Sequence, residues 1–195
     1  MTTPPGYAFS DRTRAAADVL VARYPRSRSA LLPLLHLVQS DEGFVSPAGI
    51  TFCAERLGLT RAEVQAVATF YTMFKDEPVG DWLVSVCTNV PCKVAGGQRV
   101  LDRCVADLGG HHADGVTVEH VECLGICDEA PAVQVNYEMY GKVTEDRGAE
   151  ILAACRKGTP PAALSGEAPA TFREVEWDLA GADDHAPSVT AGAPS

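Results

Sequence analysis

Four of the seven cysteines form two close pairs in the middle of the 195-residue chain. Four residues separate Cys87 from Cys92, three separate Cys123 from Cys127, and thirty lie between the pairs. Thiolate sulfur is a soft ligand that favours zinc, copper(I) and iron–sulfur clusters. Two loops that each supply two thiolates can complete a tetrahedral S4 shell or hold both ends of an Fe2S2 core. The spacing therefore predicts a metal site.

The spacing also ranks the groups that this site could hold. Zinc ribbons usually contain Cys-x2-Cys pairs, a Rieske centre requires two histidine ligands, and plant-type ferredoxins use Cys-x4-Cys-x2-Cys with a distant fourth cysteine. None of these patterns occurs here. A two-iron cluster is favoured, zinc is the second interpretation, and a redox-active dithiol is the third.

The residues around the second pair favour iron further. Gly125 lets the backbone wrap closely, so that N–H groups can point at sulfur and stabilise an added electron. Four carboxylates lie near the cysteines in sequence: Glu119, Glu122, Asp128 and Glu129. The cation next to the first pair is Lys93. Reduction adds negative charge, so we expect a one-electron carrier of low potential.

The first eighty residues are expected to form a small helical bundle. Apolar residues recur at helical spacing over 11–23, 29–39 and 61–74. Ser46 before Pro47 predicts a helix start with an N-cap, and Thr60 with Glu63 fits a capping box. These signals predict helices rather than strands up to residue 80.

A different pattern follows over residues 81–158. Short β-rich runs alternate with helical ones, and each cysteine pair begins where a run ends. We expect strands over 82–86, 116–121, 132–136 and 142–144, and helices over 94–108 and 145–156. This order predicts an α/β fold with a mixed four-stranded sheet, in which a parallel pair is extended by a hairpin. Both cysteine loops then lie at the carboxyl ends of adjacent strands.

Residues 159–195 are rich in proline, alanine and acidic side chains and are expected to form a mostly disordered tail. Within it, residues 172–179 contain two aromatic side chains, and a short segment that orders on a partner is an equal alternative to a solvated tail.

Composition excludes several functions. The formal net charge of −10 argues against nucleic-acid partners and anionic membranes. The longest apolar stretch, residues 30–38, is too short to span a bilayer, and the N-terminus does not resemble a secretory signal. A reducing cytoplasm is therefore expected, with Cys53, Cys104 and Cys155 as buried thiols. The histidines form no spaced ligand set; they are His36, His111, His112, His120 and His185.

Three segments carry a family resemblance. They are residues 87–92 (CTNVPC), 122–131 (ECLGICDEAP) and 68–74 (ATFYTMF). Together they resemble the 24-kDa subunit of NADH:quinone oxidoreductase, respiratory complex I. The resemblance covers about residues 29–157 and implies a thioredoxin-like [2Fe–2S] ferredoxin domain after a helical bundle. It also implies one cluster held by Cys87, Cys92, Cys123 and Cys127, and it places Pro131 where thioredoxin folds carry a cis-proline.

The resemblance further implies a place in an enzyme. The chain shows no nucleophile–base constellation and no nucleotide-binding motif, so it is expected to transfer electrons without a complete active site. NADH and FMN would bind the partner subunit of the peripheral arm, with the chain at the cytoplasmic face of the cell membrane. The alternatives are the equivalent subunit of a soluble NAD-linked hydrogenase or formate dehydrogenase, and a zinc-stabilised interaction module.

Overall fold

The computed structural model describes residues 9–183. Within this range the chain divides into two compact units, one of residues 9–77 with 176–183 and one of residues 78–175. The expectation for His185 and for the last residues of the predicted tail lies outside the described residues.

The first unit is helical, as the sequence predicts. Its main helices are α1 (Asp11–Ala22), α2 (Leu31–Glu42), α3 (Pro47–Leu57) and α4 (Arg61–Phe70), with a 3-10 turn at Ser27–Ala30. The Ser46 hydroxyl caps α3 and Thr60 forms a capping box with Glu63, so both predicted helix starts are confirmed. The α4 helix ends at Phe70 rather than near residue 74, because the backbone of Tyr71 is already extended.

The helical unit encloses its own apolar core. Fully buried side chains come from several helices, as the 3.6-residue spacing requires. They include Ala17, Leu34, Leu35, Val38, Cys53 and Val64. Burial of an apolar face, more than intrinsic propensity, is what stabilises helices of only 10–12 residues.

The second unit is an α/β fold around a mixed sheet. Its elements in chain order are β1 (Trp82–Cys87), α5 (Val90–Val94), α6 (Gly97–Leu108), β2 (His112–Ala113), β3 (Val116–Val121), β4 (Val133–Val135), β5 (Glu138–Tyr140) and α7 (Glu145–Arg156). The strand order is β2-β3-β1-β4-β5, with β1 parallel to β3 and the other pairs antiparallel. The predicted fold class is confirmed, with five strands instead of four.

Two turns explain the differences in the sheet. Asp114 and Gly115 have φ angles of 50° and 73°, a two-residue turn that folds the short β2 onto β3. Asn136 and Tyr137 have φ angles of 45° and 73°, so the second hairpin turns immediately after β4. The predicted strand over 142–144 is therefore wrong, because the strand that pairs with β4 is completed at Tyr140.

The helix predicted over 94–108 is also divided. Only its first residue, Val94, belongs to the preceding short helix α5, and α6 begins at Gly97. Gly96 between them has a φ of 109°, which interrupts the helical path.

The expectation of a disordered tail fails for residues 159–183. This segment includes the helix α8 (Phe172–Ala180), on which Phe172, Glu176 and Ala180 recur every four residues and are buried. The helix start is fixed by Thr171, whose N–H and hydroxyl both donate to the Glu174 carboxylate at 2.9 and 2.6 Å. Composition failed as a guide because one buried face is enough to order a short polar helix.

Candidate metal centre

The two cysteine loops begin at the ends of adjacent parallel strands. Cys87 is the last residue of β1 and is in register with Val121, the last residue of β3. The Thr88 N–H donates to the Val121 carbonyl at 3.1 Å, which continues the pairing into the first loop. Because parallel strands end at the same edge of a sheet, the chain leaves both strands side by side. This edge brings the loops together as predicted.

The first pair is buried. Cys87 and Cys92 are 2% and 1% exposed, and the Cys87 thiol donates to the Glu122 carbonyl at 3.7 Å. The Asn89 side chain accepts the Val90 N–H at 2.7 Å and starts α5, which turns Cys92 back toward Cys87. Local helix formation thus brings Cys92 close enough to Cys87 for the Cys87 thiol to influence the ionisation of Cys92.

The second pair is exposed. Cys123 and Cys127 are both exposed, and Cys123 is among the causes that raise the pKa of Cys127. Gly125 between them has a φ of 80°, and its N–H donates to the Cys123 sulfur at 3.4 Å. A hydrogen bond from a backbone N–H to sulfur is the contact that we predicted from the presence of Gly125 in this loop. Cys127 then begins a 3-10 turn that ends at Glu129.

The two pairs influence each other electrostatically. Burial raises the pKa of the Cys92 thiol, and the Cys87 and Cys127 sulfurs raise it further, while an N–H of Ala132 acts in the opposite direction. The pKa of Cys127 is also raised, first by lost hydration and then by Cys123 and Cys87. Thiolates gathered in this way repel one another, and a cationic metal core offsets such repulsion.

Four thiolates in two pairs can hold a two-iron cluster or a single zinc ion. Across residues 9–183, no three His, Cys, Asp or Glu side chains meet as the ligands of a single metal ion. In sequence the cysteines form two pairs, 87 with 92 and 123 with 127, and the raised pKa values of Cys92 and Cys127 each include an effect of a cysteine of the other pair. A [2Fe–2S] cluster requires two thiolates for each iron, whereas zinc requires four donors around one centre.

Nearby charged residues differ in their environment. Glu119 accepts a hydrogen bond from the Ser85 hydroxyl at 2.8 Å, and Glu129 forms an ion pair with Lys142 at 3.2 Å. Glu122 and Asp128 are exposed. Two of the carboxylates singled out in the sequence are therefore held by neighbours, and two face solvent.

The other cysteines are buried thiols, as expected. Burial raises the pKa of Cys53 and Cys155 to about 12 and that of Cys104 to about 11. Three of the four described histidines are hydrogen-bonded to residues outside the cysteine loops. His36 pairs with Glu176, His111 with the Val118 carbonyl and His112 with Thr117, while His120 is exposed.

Sequence reasoning gave no role to two glycines that border this centre. Gly97 lies against the backbone of the first cysteine pair, and Gly141 lies against Glu129. The Ala130–Pro131 peptide bond, whose geometry the sequence left open, is cis. No helix of the described residues is long and apolar enough to cross a membrane.

Comparison with known proteins adds the following. Residues 17–156 match the model of the thioredoxin-like [2Fe-2S] ferredoxin family. The chain is 45% identical over 188 residues to an NADH-quinone oxidoreductase subunit of Mycobacterium bovis, covering 94% of this chain and 75% of that protein. It is 38% identical over 158 residues to NADH-quinone oxidoreductase subunit 2 of Thermus thermophilus, covering 77% and 87%.

A solved structure shares the fold. The match is to an NAD+-reducing [NiFe]-hydrogenase in the air-oxidized state, with a TM-score of 0.58 and 21% identity over 67% of this chain. The chain spans 23% of the length of that hydrogenase chain.

Proposed function

The chain belongs to the thioredoxin-like [2Fe-2S] ferredoxin family, and on that premise we propose that it is a one-electron carrier subunit of an NADH-quinone oxidoreductase. Its cluster would be held by Cys87, Cys92, Cys123 and Cys127. The observation that carries this proposal is the arrangement of the cysteines as two thiol pairs at the ends of β1 and β3. When bound, the cluster supplies a centre that takes up and releases one electron.

The protein's own contribution is to hold and insulate the thiolates. The buried pair would ligate one iron away from water, and the exposed pair would ligate the other at the surface. N–H groups of Gly125 and Ala132 that donate to sulfur favour the reduced state, whereas the acidic residues oppose it. With a net charge of −10, the balance supports a low potential.

The electron partner would be the subunit that binds NADH and FMN. The described residues support this role through an exposed apolar pair on α5, the helix that carries Cys92. Val90 and Val94 are 69% and 84% exposed, and Pro91 between them is also exposed. Apolar side chains that remain uncovered beside a redox centre suit a protein partner that must approach it closely. The complex would lie at the cytoplasmic face of the cell membrane.

The test is chemical analysis of anaerobically purified protein with electron paramagnetic resonance. We expect about two irons and two acid-labile sulfides per chain, and an S = 1/2 signal after reduction with dithionite. Stoichiometric zinc without sulfide would contradict the proposal and favour a structural module. The partner is tested separately, by co-purification with the flavin-binding subunit and reduction of the cluster by NADH in that complex.

A further inference from the structure

At position 97, helix propensity favours alanine, whereas close packing against the backbone of the first cysteine pair requires glycine. Gly97 is the first residue of α6 and is buried. Alanine is a better helix former than glycine, so propensity alone would favour Gly97→Ala. A Cβ atom at this position, however, would lie 2.5 Å from the carbonyl oxygen of Cys87 and 2.9 Å from that of Cys92.

These neighbours cannot move independently of the proposed ligands. Both are main-chain atoms of cysteines in the first pair, and the Cys87 N–H is itself fixed by the Ala132 carbonyl at 3.0 Å. A side chain at position 97 would therefore push the backbone of Cys87 or Cys92 or displace the start of α6. Contacts shorter than 3.0 Å force such a shift because packed interiors have little free space.

Gly141 lies against the segment that follows the second cysteine pair, where it meets the side chain of Glu129. A Cβ atom at this position would lie 2.6 Å from the Cβ atom of Glu129, two residues after Cys127. The Lys142 N–H donates to the Glu129 carbonyl at 2.6 Å, and the Val143 N–H donates to the Pro131 carbonyl at 3.0 Å. Residues 141–143 thus support the backbone of residues 129–131.

We propose that Gly97 and Gly141 are positioning residues of the cluster centre. Because these glycines lack side chains, α6 and residues 141–143 can pack closely against the two cysteine loops. This packing fixes the positions of the sulfur atoms. The inference rests on the proposed function, because it concerns how the thiolates are presented to the cluster. The positions of the thiolates then depend on backbone packing at these two glycines as well as on the cysteines.

Gly148 provides a matched control. It lies in α7 of the same unit, and a Cβ atom there would lie 2.9 Å from Val100 Cγ1 and 3.3 Å from Cys104 Sγ. Those are side-chain atoms of the apolar core, not of the cysteine loops. Gly148→Ala therefore crowds the same unit at side-chain atoms of α6, which can shift without moving the backbone that contacts the proposed ligands.

The experiment compares the full-length wild type with Gly97→Ala, Gly141→Ala and Gly148→Ala. Iron and sulfide content, EPR g values, visible circular dichroism and the rate of cluster loss to a chelator are measured, with the melting temperature of each apoprotein. We expect altered spectra and cluster loss about tenfold faster in the first two variants. Gly148→Ala should lower the melting temperature and leave the spectra and the rate unchanged.

Three results would overturn the inference. Wild-type spectra and cluster-loss rates in both Gly97→Ala and Gly141→Ala would do so while leaving the proposed function intact. Equal spectral changes in Gly148→Ala would assign the effect to general crowding. A wild type without iron and sulfide would overturn the proposed function together with the inference. If Gly97→Ala does not fold, Gly141→Ala decides the outcome, because its crowding falls on Glu129 rather than on a cysteine.

Discussion

The backbone N–H of Gly125 donates to the sulfur of Cys123 across 3.4 Å, within the same five-residue loop. The contact depends on the left-handed conformation of Gly125, whose φ is 80°. The backbone of the loop itself thus supplies a hydrogen bond that stabilises negative charge on the Cys123 sulfur.

We expect Cys123→Ser to weaken or abolish cluster binding, because a serine hydroxyl is a poor replacement for a soft thiolate ligand. The visible absorption and EPR signal of the reconstituted variant measure this. Cys53→Ala is the control, since Cys53 is buried in the helical unit and should not affect the spectrum. An unchanged cluster spectrum in Cys123→Ser would contradict the proposed ligand set.

Val94→Asp should weaken binding to the proposed flavin-binding partner. Val94 is 84% exposed on the short helix that carries Cys92, so the variant should fold and retain its cluster. A charge placed in an apolar interface must be desolvated, which we expect to reduce affinity at least tenfold, about 1.4 kcal/mol. Titration of the purified partner by calorimetry measures the change.

Val19→Asp is the matched control for that variant, because Val19 is 51% exposed on α1. Equal affinities for the wild type and Val94→Asp would exclude the surface around Val94 from the interface.

Asn136→Ala should destabilise the protein by about 3 kcal/mol. Asn136 is 2% exposed, and its side chain accepts the Leu83 N–H and donates to the Asp81 and Ala170 carbonyls, all at 2.8 Å. Alanine removes these bonds and disfavours the φ of 45°. Urea unfolding of the apoprotein provides the measurement.

Asn136→Gly separates the two causes, because glycine adopts the positive φ freely but makes none of the bonds. It should recover about 1 kcal/mol of the loss. A free energy of unfolding equal to that of the wild type in both variants would show that the hydrogen bonds contribute no net stability.

Glu176→Ala should also destabilise the protein by about 3 kcal/mol. Glu176 is fully buried, and its carboxylate lies 2.6 Å from His36 Nδ1, whose side chain is 10% exposed. Removing one member of a buried pair leaves the other without compensation. Urea unfolding measures the loss, and Asp178→Asn, an exposed change on the same helix, is the control. Similar stability of Glu176→Ala and the control would exclude a stabilising role for this pair.

Alkaline pH should destabilise the apoprotein. Burial raises the pKa of Cys53, Cys155 and Tyr140 to about 12 and that of Cys104 to about 11, from ordinary values of 9.0 for the thiols and 10.0 for the phenol. The folded pKa values exceed the unfolded ones, so this stabilisation is complete below about pH 9 and is lost as the pH rises toward 12.

Urea midpoints of the apoprotein measured across that alkaline range test this prediction. Cys53→Ala should show a shallower decline than the wild type, because one of the raised thiols is absent. An identical decline in the two proteins would rule out Cys53 as a source of the pH dependence.

Much of the local structure follows from the sequence because the signals are local. Ser46 and Thr60 cap the helices that they were expected to cap, since a side-chain oxygen needs only the next turn of backbone. The two thiol pairs also follow from spacing, because residues three to five apart meet readily in a tight loop. The choice of iron over zinc came from ligand chemistry, and the match to the thioredoxin-like [2Fe-2S] ferredoxin family supports it.

Other features depended on residues that are distant in the chain. The order of α8 rests on the burial of Glu176 beside His36, 140 residues earlier, and no composition rule predicts that a carboxylate is buried. The early turn at Asn136 is fixed by bonds to Asp81, Leu83 and Ala170.

The sequence by itself thus determined the helical first unit, the α/β class of the second and the cysteines proposed to hold the cluster, because these depend on periodicity, capping and ligand type. Only the tertiary structure decided which cysteine pair is buried, where β5 lies and why Gly97 and Gly141 are glycines. The physical reason is that burial and close contact are set by partners far along the chain, whose approach is a property of the folded molecule.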